Sequence, residues 1–408
     1  MAIRRNPLLI ICLFLIFALS GCAAVDDLNN AWDNRGTYTP PPPPTQQTAQ
    51  PSVTMQSASP ADFSNLPAVH VAILLPLSGP KATLGQSMLQ AAQLALFDMG
   101  YNKFKLIPRD TQGTSAGASA AATSAINEGA QLILGPVFAD SVKAVKSVVS
   151  ASNVNVIAFS TDWTLADRRT FLMGFMPFSQ VDRVASYATQ KGYQNFALIA
   201  PRDKYGDLVA SRFDNAARSN GANITKSIRF TPGDPAVINQ ITSLKSDGAP
   251  NFQAVFMPVG GSQIETISSA LSYNNLMPDT IKRLGTGLWD DTRVANQQNM
   301  QGAWFAAPSP SARSSFEQKY SNTYGQAPVR LASLAYDATA LATILARNGF
   351  QNGSAPAYSY NDLTNPNGFA GADGVFRFQS NGIVERQLSI LELRRSQIVE
   401  IDPAPTRF

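Results

Sequence analysis

The sequence predicts an α/β fold with two lobes, each a doubly wound, mostly parallel sheet. From Val69 onward, short apolar runs alternate with longer amphipathic stretches, which is typical of repeated β-α units. The 408 residues are 44% apolar and 15% charged, so the chain can bury one large core or two medium cores. Because the predicted strands fall into two sets along the chain, two sheets fit better than one.

The first set of β-α units begins at Val69. Its strands are short and apolar, and its helices carry apolar residues on one face. Gly100 and Gly129 favour helix ends at their positions. The predicted elements are, in order, strand Val71–Leu75, helix Leu84–Met99, strand Phe104–Ile107, an alanine-rich helix that ends at Glu128, strand Leu132–Leu134, helix Ser141–Ser150 and strand Val154–Phe159.

The second set follows a helix-poor stretch, FLMGFMPFSQVDR, in which we expect the chain to cross between the lobes near Phe178. A second crossing is predicted near Ala306, after which two helices, at residues 312–324 and 331–347, return to the first lobe. Alternating residues around Ser380-Asn381-Gly382 predict a hairpin that leads back to the second lobe. The predicted strands of this set are Phe196–Ala200, Ile224–Phe230, Ala254–Met257 and Lys282–Leu284.

The N-terminal region has a different composition from the rest of the chain. MAIRRNPLLIICLFLIFALSGC carries two arginines, an apolar run and small residues before a cysteine, which is the layout of a secretory signal peptide. The apolar run from Leu8 to Leu19 is shorter than the roughly twenty residues that span a bilayer. Residues 1–21 are therefore predicted to be an export signal.

The tetrapeptide Leu19-Ser20-Gly21-Cys22 resembles the bacterial lipobox. This resemblance implies cleavage before Cys22 and lipidation of its thiol, and Ala23 in the next position favours the outer membrane. The alternative is an ordinary cleaved signal with a coincidental cysteine. The other cysteine, Cys12, lies inside the predicted signal, so no disulfide is expected in the mature chain.

Residues 22–67 show no apolar periodicity and include five consecutive prolines from Pro40 to Pro44. They predict a lipidated tether with a stiff polyproline II segment, which would hold the folded body away from the membrane. We assign residues 68–178 and 306–384 to the first lobe, and residues 179–305 and 385–402 to the second lobe.

Charge and residue content argue against nucleic-acid binding and against catalysis. The formal charge is +4, and the basic residues are not interleaved with aromatics, so no nucleic-acid partner is expected. His70 is the single histidine, which excludes a histidine metal cluster and allows a Ser-His-Asp triad only through this residue. Ser78 and Lys81 have the Ser-x-x-Lys spacing of penicillin-recognising enzymes, but Gly79 and Pro80 favour a turn there and the chain contains no Lys-Thr-Gly. We expect no enzyme activity, no bound metal and no cofactor.

Ligands of open parallel sheets bind beyond the carboxyl ends of the strands. The loops predicted at those ends carry polar and aromatic side chains that suit a small polar ligand or a peptide end. The candidate residues are Ser160, Thr161, Asp162, Tyr205, Gly260 and Trp289. The alternative is that the serine, threonine, aspartate and glycine residues serve as turn formers and helix caps.

Four segments of the chain, taken in order, resemble the leucine-binding-protein family of type I periplasmic binding proteins. They are ILLPLSGPKATLGQSMLQAAQLAL, RDTQGTSAGASAAATSAINEGAQLILGPVFADS, IAPRDKYGDLVASRF and FEQKYSNTYGQAPVRLASLAYDATAL. The resemblance implies two lobes joined by three crossings, with a hinge and an interlobe cleft that closes on a ligand. It also implies ligand contacts from Ser78, Gly79, Leu84, Phe138, Ala139, Ser160, Thr161, Asp162 and Tyr205.

The sequence departs from the amino-acid-binding members of that family where the ligand would be recognised. Ala139 stands where a serine is frequent, and Asp162 stands where a threonine is common. Gly260 replaces an expected aromatic residue, and Gly287 falls near an expected acidic partner for the ligand ammonium group. These departures argue against uptake of a free α-amino acid.

The chain resembles outer-membrane lipoproteins that activate penicillin-binding proteins in three features: the segment ILLPLSGP, the lipobox and the proline-rich tether. This resemblance implies a non-catalytic lipoprotein that is anchored in the membrane by lipid, faces the periplasm and regulates a peptidoglycan synthase. The alternative is the solute-binding component of an ABC importer, with a permease as its partner and an amino acid, an amide or a short peptide as its ligand.

Overall fold

The structure is a computed structural model that describes residues 53–54, 65–245 and 249–408. The predicted signal peptide, the lipobox with Cys22 and nearly all of the predicted tether lie outside the described residues. None of the helices in the described ranges has both the length and the hydropathy that a membrane crossing requires.

Strands and helices alternate along the chain as the sequence predicts. The strands are β1 (Val53–Thr54), β2 (Val69–Leu75), β3 (Phe104–Asp110), β4 (Leu132–Leu134), β5 (Asn155–Ala158), β6 (Thr170–Leu172), β7 (Asn195–Pro201), β8 (Asn223–Phe230), β9 (Ala254–Phe256), β10 (Lys282–Gly285), β11 (Trp304–Ala307), β12 (Phe369–Gly371), β13 (Gly374–Phe378), β14 (Val384–Arg386), β15 (Ser389–Arg394) and β16 (Gln397–Asp402). The helices are α1 (Ala82–Met99), α2 (Ser115–Asn127), α3 (Ala139–Val149), α4 (Pro177–Gln190), α5 (Lys204–Ser219), α6 (Ala236–Thr242), α7 (Ser262–Tyr273), α8 (Thr292–Ala295), α9 (Pro310–Tyr324), α10 (Ala332–Asn352) and α11 (Tyr360–Leu363).

The first lobe is built on a five-stranded parallel sheet with the order β3-β2-β4-β5-β6. Residues Val71 to Leu75 of β2 are all buried, and successive side chains of a strand point to opposite faces. Both faces of this sheet are therefore covered, as expected for a parallel sheet flanked by helices. Helix α10 returns from late in the chain and packs along α1, and its buried face joins the core of this lobe.

The second lobe is built on a seven-stranded sheet with the order β16-β15-β11-β10-β9-β7-β8. The five strands from β7 to β11 are parallel, whereas β15 and β16 add to the edge as antiparallel strands. Phe213 of α5 stacks face to face on Phe256 of β9 in the core, with ring centroids 4.1 Å apart. The prediction of two doubly wound α/β lobes is confirmed.

A small third sheet has the order β1-β12-β13-β14. Strands β13 and β14 form the predicted hairpin, with Gly382 in the left-handed region at a φ of 82° and a Gln379 amide that donates to the Ile383 carbonyl at 2.9 Å. Strand β1 adds in parallel to β12, with Val53 opposite Phe369.

The chain passes between the two large sheets three times, at residues 173–176, 308–309 and 387–388. The helix-poor interpretation of FLMGFMPFSQVDR is wrong for its second half, because α4 begins at Pro177. Proline suits the first turn of a helix, and Val181 and Val184 give α4 a buried face. The aromatic residues and methionines before Pro177 hid this helical spacing in the sequence.

Candidate functional site

Each doubly wound sheet has one switch point, where the loops of two neighbouring strands lead to opposite faces. It lies between β2 and β4 in the first lobe and between β7 and β9 in the second. Ligands of such sheets bind in the crevice at the switch point. These loops, with those after β5 and β10, are called the cleft loops below and comprise residues 76–81, 135–138, 159–165, 202–203, 257–261 and 286–291.

The first cleft loop is held in place by Asp110, the last residue of β3. The Asp110 carboxylate accepts hydrogen bonds from the Ser78 hydroxyl at 2.5 Å, from the Leu77 amide at 2.8 Å and from the Ser78 amide at 3.2 Å. It also accepts from the Gln112 amide at 2.8 Å. Partial burial opposes ionisation, but these hydrogen bonds outweigh it and lower the pKa of the Asp110 carboxyl group. Ser78 is therefore engaged within the protein.

The other predicted residues of this loop shape the backbone. Gly79 has a φ of 76°, in the left-handed region that glycine adopts without strain. Leu84 is half-buried and packs against the first-lobe core. Gly85 lies so close to the loop that a Cβ atom on it would be 2.1 Å from the Pro76 carbonyl oxygen. The loop thus sits directly on the start of α1.

Phe138 and Ala139 lie at the start of α3, in the second cleft loop. Phe138 is the residue before the helix, and no side chain accepts a hydrogen bond from the first turn there. Both residues are half-buried against the core, and Asp140 next to them is exposed. Ser141 does not supply a hydroxyl to the cleft, because it is buried and its Oγ donates to the Thr114 carbonyl at 3.4 Å.

The third cleft loop is folded on itself. Ser160 is buried, and its Oγ accepts a hydrogen bond from the Asp162 amide at 3.1 Å. One Asp162 carboxylate oxygen accepts from the Thr164 amide at 3.2 Å and from the Thr164 hydroxyl at 2.6 Å, which caps a short helical turn. Thr161 is exposed. Two of the three candidates in this loop therefore act as turn formers.

Tyr205 connects two cleft loops of the second lobe. Its hydroxyl lies 3.2 Å from the hydroxyl of Thr286, a fully buried residue after β10. Burial raises the pKa of the Tyr205 phenol to about 12, so the phenol stays protonated and can donate a hydrogen bond. Gly260 presents only backbone, and a Cβ atom on it would lie 3.6 Å from Leu288.

Trp289 is a core residue in this structure. Its side chain is fully buried, and its indole Nε1 donates to the Val259 carbonyl at 3.0 Å. The ring fills the space beside Gly285, where a Cβ atom would lie 2.4 Å from it. The prediction that Trp289 contacts a ligand does not match this buried position, and the exposed apolar side chain of the loop is Leu288, at 48% exposure.

An aromatic contact that is not evident from the sequence joins the lobes. Trp163 follows β5 in the first lobe, and Phe178 lies in the first turn of α4. Their rings meet edge to face with centroids 6.0 Å apart, and the Arg212 guanidinium lies 6.0 Å from the centroid of Phe178 on the second-lobe side. Aromatic residues at both positions are visible in the sequence, but their proximity depends on the crossing after β6.

Charged side chains are few in the first-lobe cleft loops, where the described residues contribute Asp162 and Lys81. The carboxylates of Asp110 and Asp140 lie at the adjoining ends of β3 and α3, and Asp140 is ion-paired with Lys143 at 3.2 Å. Across the described residues, His, Cys, Asp and Glu side chains do not gather in threes at a distance that would hold a metal ion. Two shallow surface depressions lie elsewhere, around Glu128 on the outside of the first lobe, and no cleft loop lines them.

A protein-family model described as periplasmic binding protein matches residues 68–397. Among curated proteins, the uncharacterized protein RP748 of Rickettsia prowazekii is 19% identical over 179 residues, which is 44% of this chain. The match spans about half of that relative, 48% of its length.

Solved structures share the fold. A putative branched-chain amino acid ABC transporter from Rhodospirillum rubrum has a TM-score of 0.73 and 18% identity, covering 82% of this chain and 100% of that one. A branched-chain amino acid ABC transporter periplasmic ligand-binding protein from Burkholderia xenovorans has a TM-score of 0.68 and 19% identity, covering 82% and 96%. An ABC transporter substrate-binding protein from Desulfitobacterium hafniense in complex with Leu has a TM-score of 0.63 and 17% identity, covering 82% and 100%.

Proposed function

Because this chain belongs to the periplasmic binding protein family, we propose that it is a non-catalytic, two-lobed binding protein of the cell envelope. Within that class, we propose that it is a lipoprotein that regulates a peptidoglycan synthase by docking to it. The anchor would be Cys22, the tether would be residues 22–67, and the membrane would be the outer membrane.

The observation that carries this proposal is the hydrogen bonding of Asp110. The Ser78 hydroxyl and the amides of Leu77 and Ser78 already donate to the Asp110 carboxylate. These donors are therefore not free to hold the carboxylate of a solute. The polar groups of Ser160 and Asp162 are likewise used within their own loop. A body in which these first-lobe groups are already hydrogen-bonded within the protein suits an interaction protein better than an amino acid receptor.

Electrostatics supports the same choice. A free amino acid presents a carboxylate, and carboxylates already stand at Asp162 in the third cleft loop and at Asp140 in the first turn of α3. Like charges at close range repel, and a desolvated cleft strengthens that repulsion. Gly287 provides no acidic side chain for the ammonium group on the other side.

The proposed regulatory role is tested by mixing the mature chain with the bifunctional peptidoglycan synthases of its host and measuring binding and synthase activity. We expect direct binding to at least one synthase and an increase in its glycan polymerisation or cross-linking rate. A leucine-binding protein of the same fold is the control for non-specific effects. If the chain neither binds nor stimulates any of these synthases, the proposal is wrong.

A second candidate is the solute-binding component of an ABC importer. It is favoured by the loops at both switch points and by Tyr205, whose protonated phenol can donate to a ligand. A ligand present at a hundred times its dissociation constant would stabilise the fold by about 2.7 kcal/mol. A thermal-shift screen of amino acids, amides and short peptides should then give at least one clear increase in Tm, and a flat screen argues against uptake.

A further inference from the structure

A cluster of charged side chains lies where the two lobes meet. Asp290 belongs to the second lobe, because it follows the helical turn that ends at the core residue Trp289. Arg313 lies in α9 and Arg330 lies just before α10, and both helices pack on the first lobe. The cluster therefore contains charges of opposite sign from opposite lobes.

Asp290 is paired with both arginines. Its Oδ2 atom lies 3.2 Å from Arg313 Nη1 and 3.5 Å from Arg330 Nε. The side chains of Asp290 and Arg313 are only 11% and 13% exposed. Water screens such a pair poorly, and separating it would leave the Asp290 carboxylate without its cationic partners in a largely desolvated place.

The second-lobe end of this contact is rigid. Trp289, next to Asp290, is fully buried in the second-lobe core and is fixed by its hydrogen bond to the Val259 carbonyl. The Asp290 amide donates to the Gly287 carbonyl at 3.1 Å. The Asp290 carboxylate must therefore move with the second lobe when the lobes rotate.

The first-lobe end is equally fixed. Arg313 is held along α9 by Glu317 at 2.7 Å, and Phe316, one turn of the same helix away, is buried beside α1. Arg330 pairs with the fully buried Asp373 at 3.1 Å, and its guanidinium lies 4.0 Å from the centroid of the Phe175 ring. Phe175 is part of the first crossing between the lobes, so Arg330 is packed against the hinge.

We propose that Asp290, Arg313 and Arg330 form an interlobe latch that holds the two lobes together. Separating the lobes at this point would carry Asp290 away from two arginines that are fixed to the first lobe. Control of ligand access by this latch rests on the proposed binding function, whereas the latch itself is measured without a ligand or a synthase.

The test measures the distance between the lobes by pulsed electron spin resonance. Spin labels are placed at Lys143→Cys in α3 and Lys204→Cys in α5, two exposed positions on opposite lobes, in a chain that starts at residue 22 and carries Cys22→Ser. We expect one narrow distance distribution for the parent chain. Asp290→Asn should shift the distribution to longer distances and raise the open population about tenfold, which corresponds to about 1.4 kcal/mol.

The matched control is Asp291→Asn, which changes the neighbouring aspartate, whose partner Arg293 lies in the same lobe. Arg313→Gln should open the cleft as Asp290→Asn does, and combining the two should add little, because they break one contact. The latch is refuted if both folded variants keep the parent distribution, or if Asp291→Asn opens the cleft equally. Because Arg313→Gln tests the same contact, a folding defect of Asp290→Asn leaves the proposal testable.

Discussion

The Ser78 hydroxyl donates a 2.5 Å hydrogen bond to the Asp110 carboxylate, which joins the loop after β2 to the end of the neighbouring strand β3. Ser78 lies three positions before Lys81, which is the spacing of a catalytic serine in penicillin-recognising enzymes. In this structure its hydroxyl has a structural role. These hydrogen bonds fix the polar loop at the switch point to β3.

Removing the Asp110 acceptor should destabilise the protein. Asp110→Ala leaves the Leu77 and Ser78 amides and the Ser78 hydroxyl without their partner, so we expect a loss of about 1–3 kcal/mol of unfolding free energy, and Ser78→Ala should cost about 0.5–1.5 kcal/mol. Urea denaturation at pH 7 measures both. Thr161→Ala, at an exposed position, is the control and should change little. Equal stability of Asp110→Ala and the parent chain would contradict the structure.

Trp289 and Leu288 offer a matched pair of neighbours. Trp289→Ala empties a fully buried site and should cost about 3–5 kcal/mol, whereas Leu288→Ala at a largely exposed position should change the unfolding free energy by less than about 0.5 kcal/mol. Denaturation monitored by circular dichroism distinguishes them. If Trp289 instead lined a ligand site, its truncation would leave stability nearly unchanged and would reduce ligand binding.

Asp337 should make stability depend on pH. Burial and the nearby Asp373 carboxylate raise the pKa of Asp337 to about 7, above the ordinary value near 4. Between these values the folded state binds a proton that the unfolded state releases. The unfolding free energy therefore falls as pH rises through this window, by up to about 1.4 kcal/mol per pH unit.

The comparison of Asp337→Asn with the parent chain tests this prediction. The asparagine stays neutral, so its stability relative to the parent should increase between pH 5 and pH 8. Asp140→Asn, which changes a carboxylate that is 80% exposed, is the control and should show a small difference at both pH values. A relative stability of Asp337→Asn that stays constant across the range would show that Asp337 is ionised throughout.

Lipidation is tested directly at Cys22. In cells fed a labelled fatty acid, we expect the parent protein to incorporate the label and to fractionate with membranes. Cys22→Ser should lose the label and appear in the soluble extracytoplasmic fraction, whereas Cys12→Ser should behave as the parent does. Label in Cys22→Ser would place the lipid elsewhere or refute the lipobox assignment.

Local patterns in the sequence predict the fold well. Strand Leu132–Leu134 is predicted residue for residue because a short apolar run follows a glycine stop, and α1 ends before Gly100 as expected. These features depend on neighbours within a few positions. The candidate ligand loops follow from the same reasoning, because strand ends determine where loops lie.

Contacts between distant residues could not be read from the sequence. Ser78 and Asp110 are 32 positions apart, and their pairing depends on the register of β2 and β3. The sequence also does not determine which way the Trp289 ring points. Gly285, four positions earlier, is consistent with a buried ring, because a glycine leaves room for an indole. The pairing of Asp290 with Arg313 depends on the return of the chain to the first lobe.

Strand β15 enters the second-lobe sheet beside β11, although α9, α10 and strands β12 to β14 lie between them in the chain. When a ribosome has made the protein as far as β11, this strand is an open edge with unpaired backbone groups, and the first lobe still lacks α10. Such edges pair readily with other chains. The first lobe is complete only when α10 has been synthesised, and the second-lobe sheet only when β15 and β16 have followed, so both lobes finish folding late in synthesis.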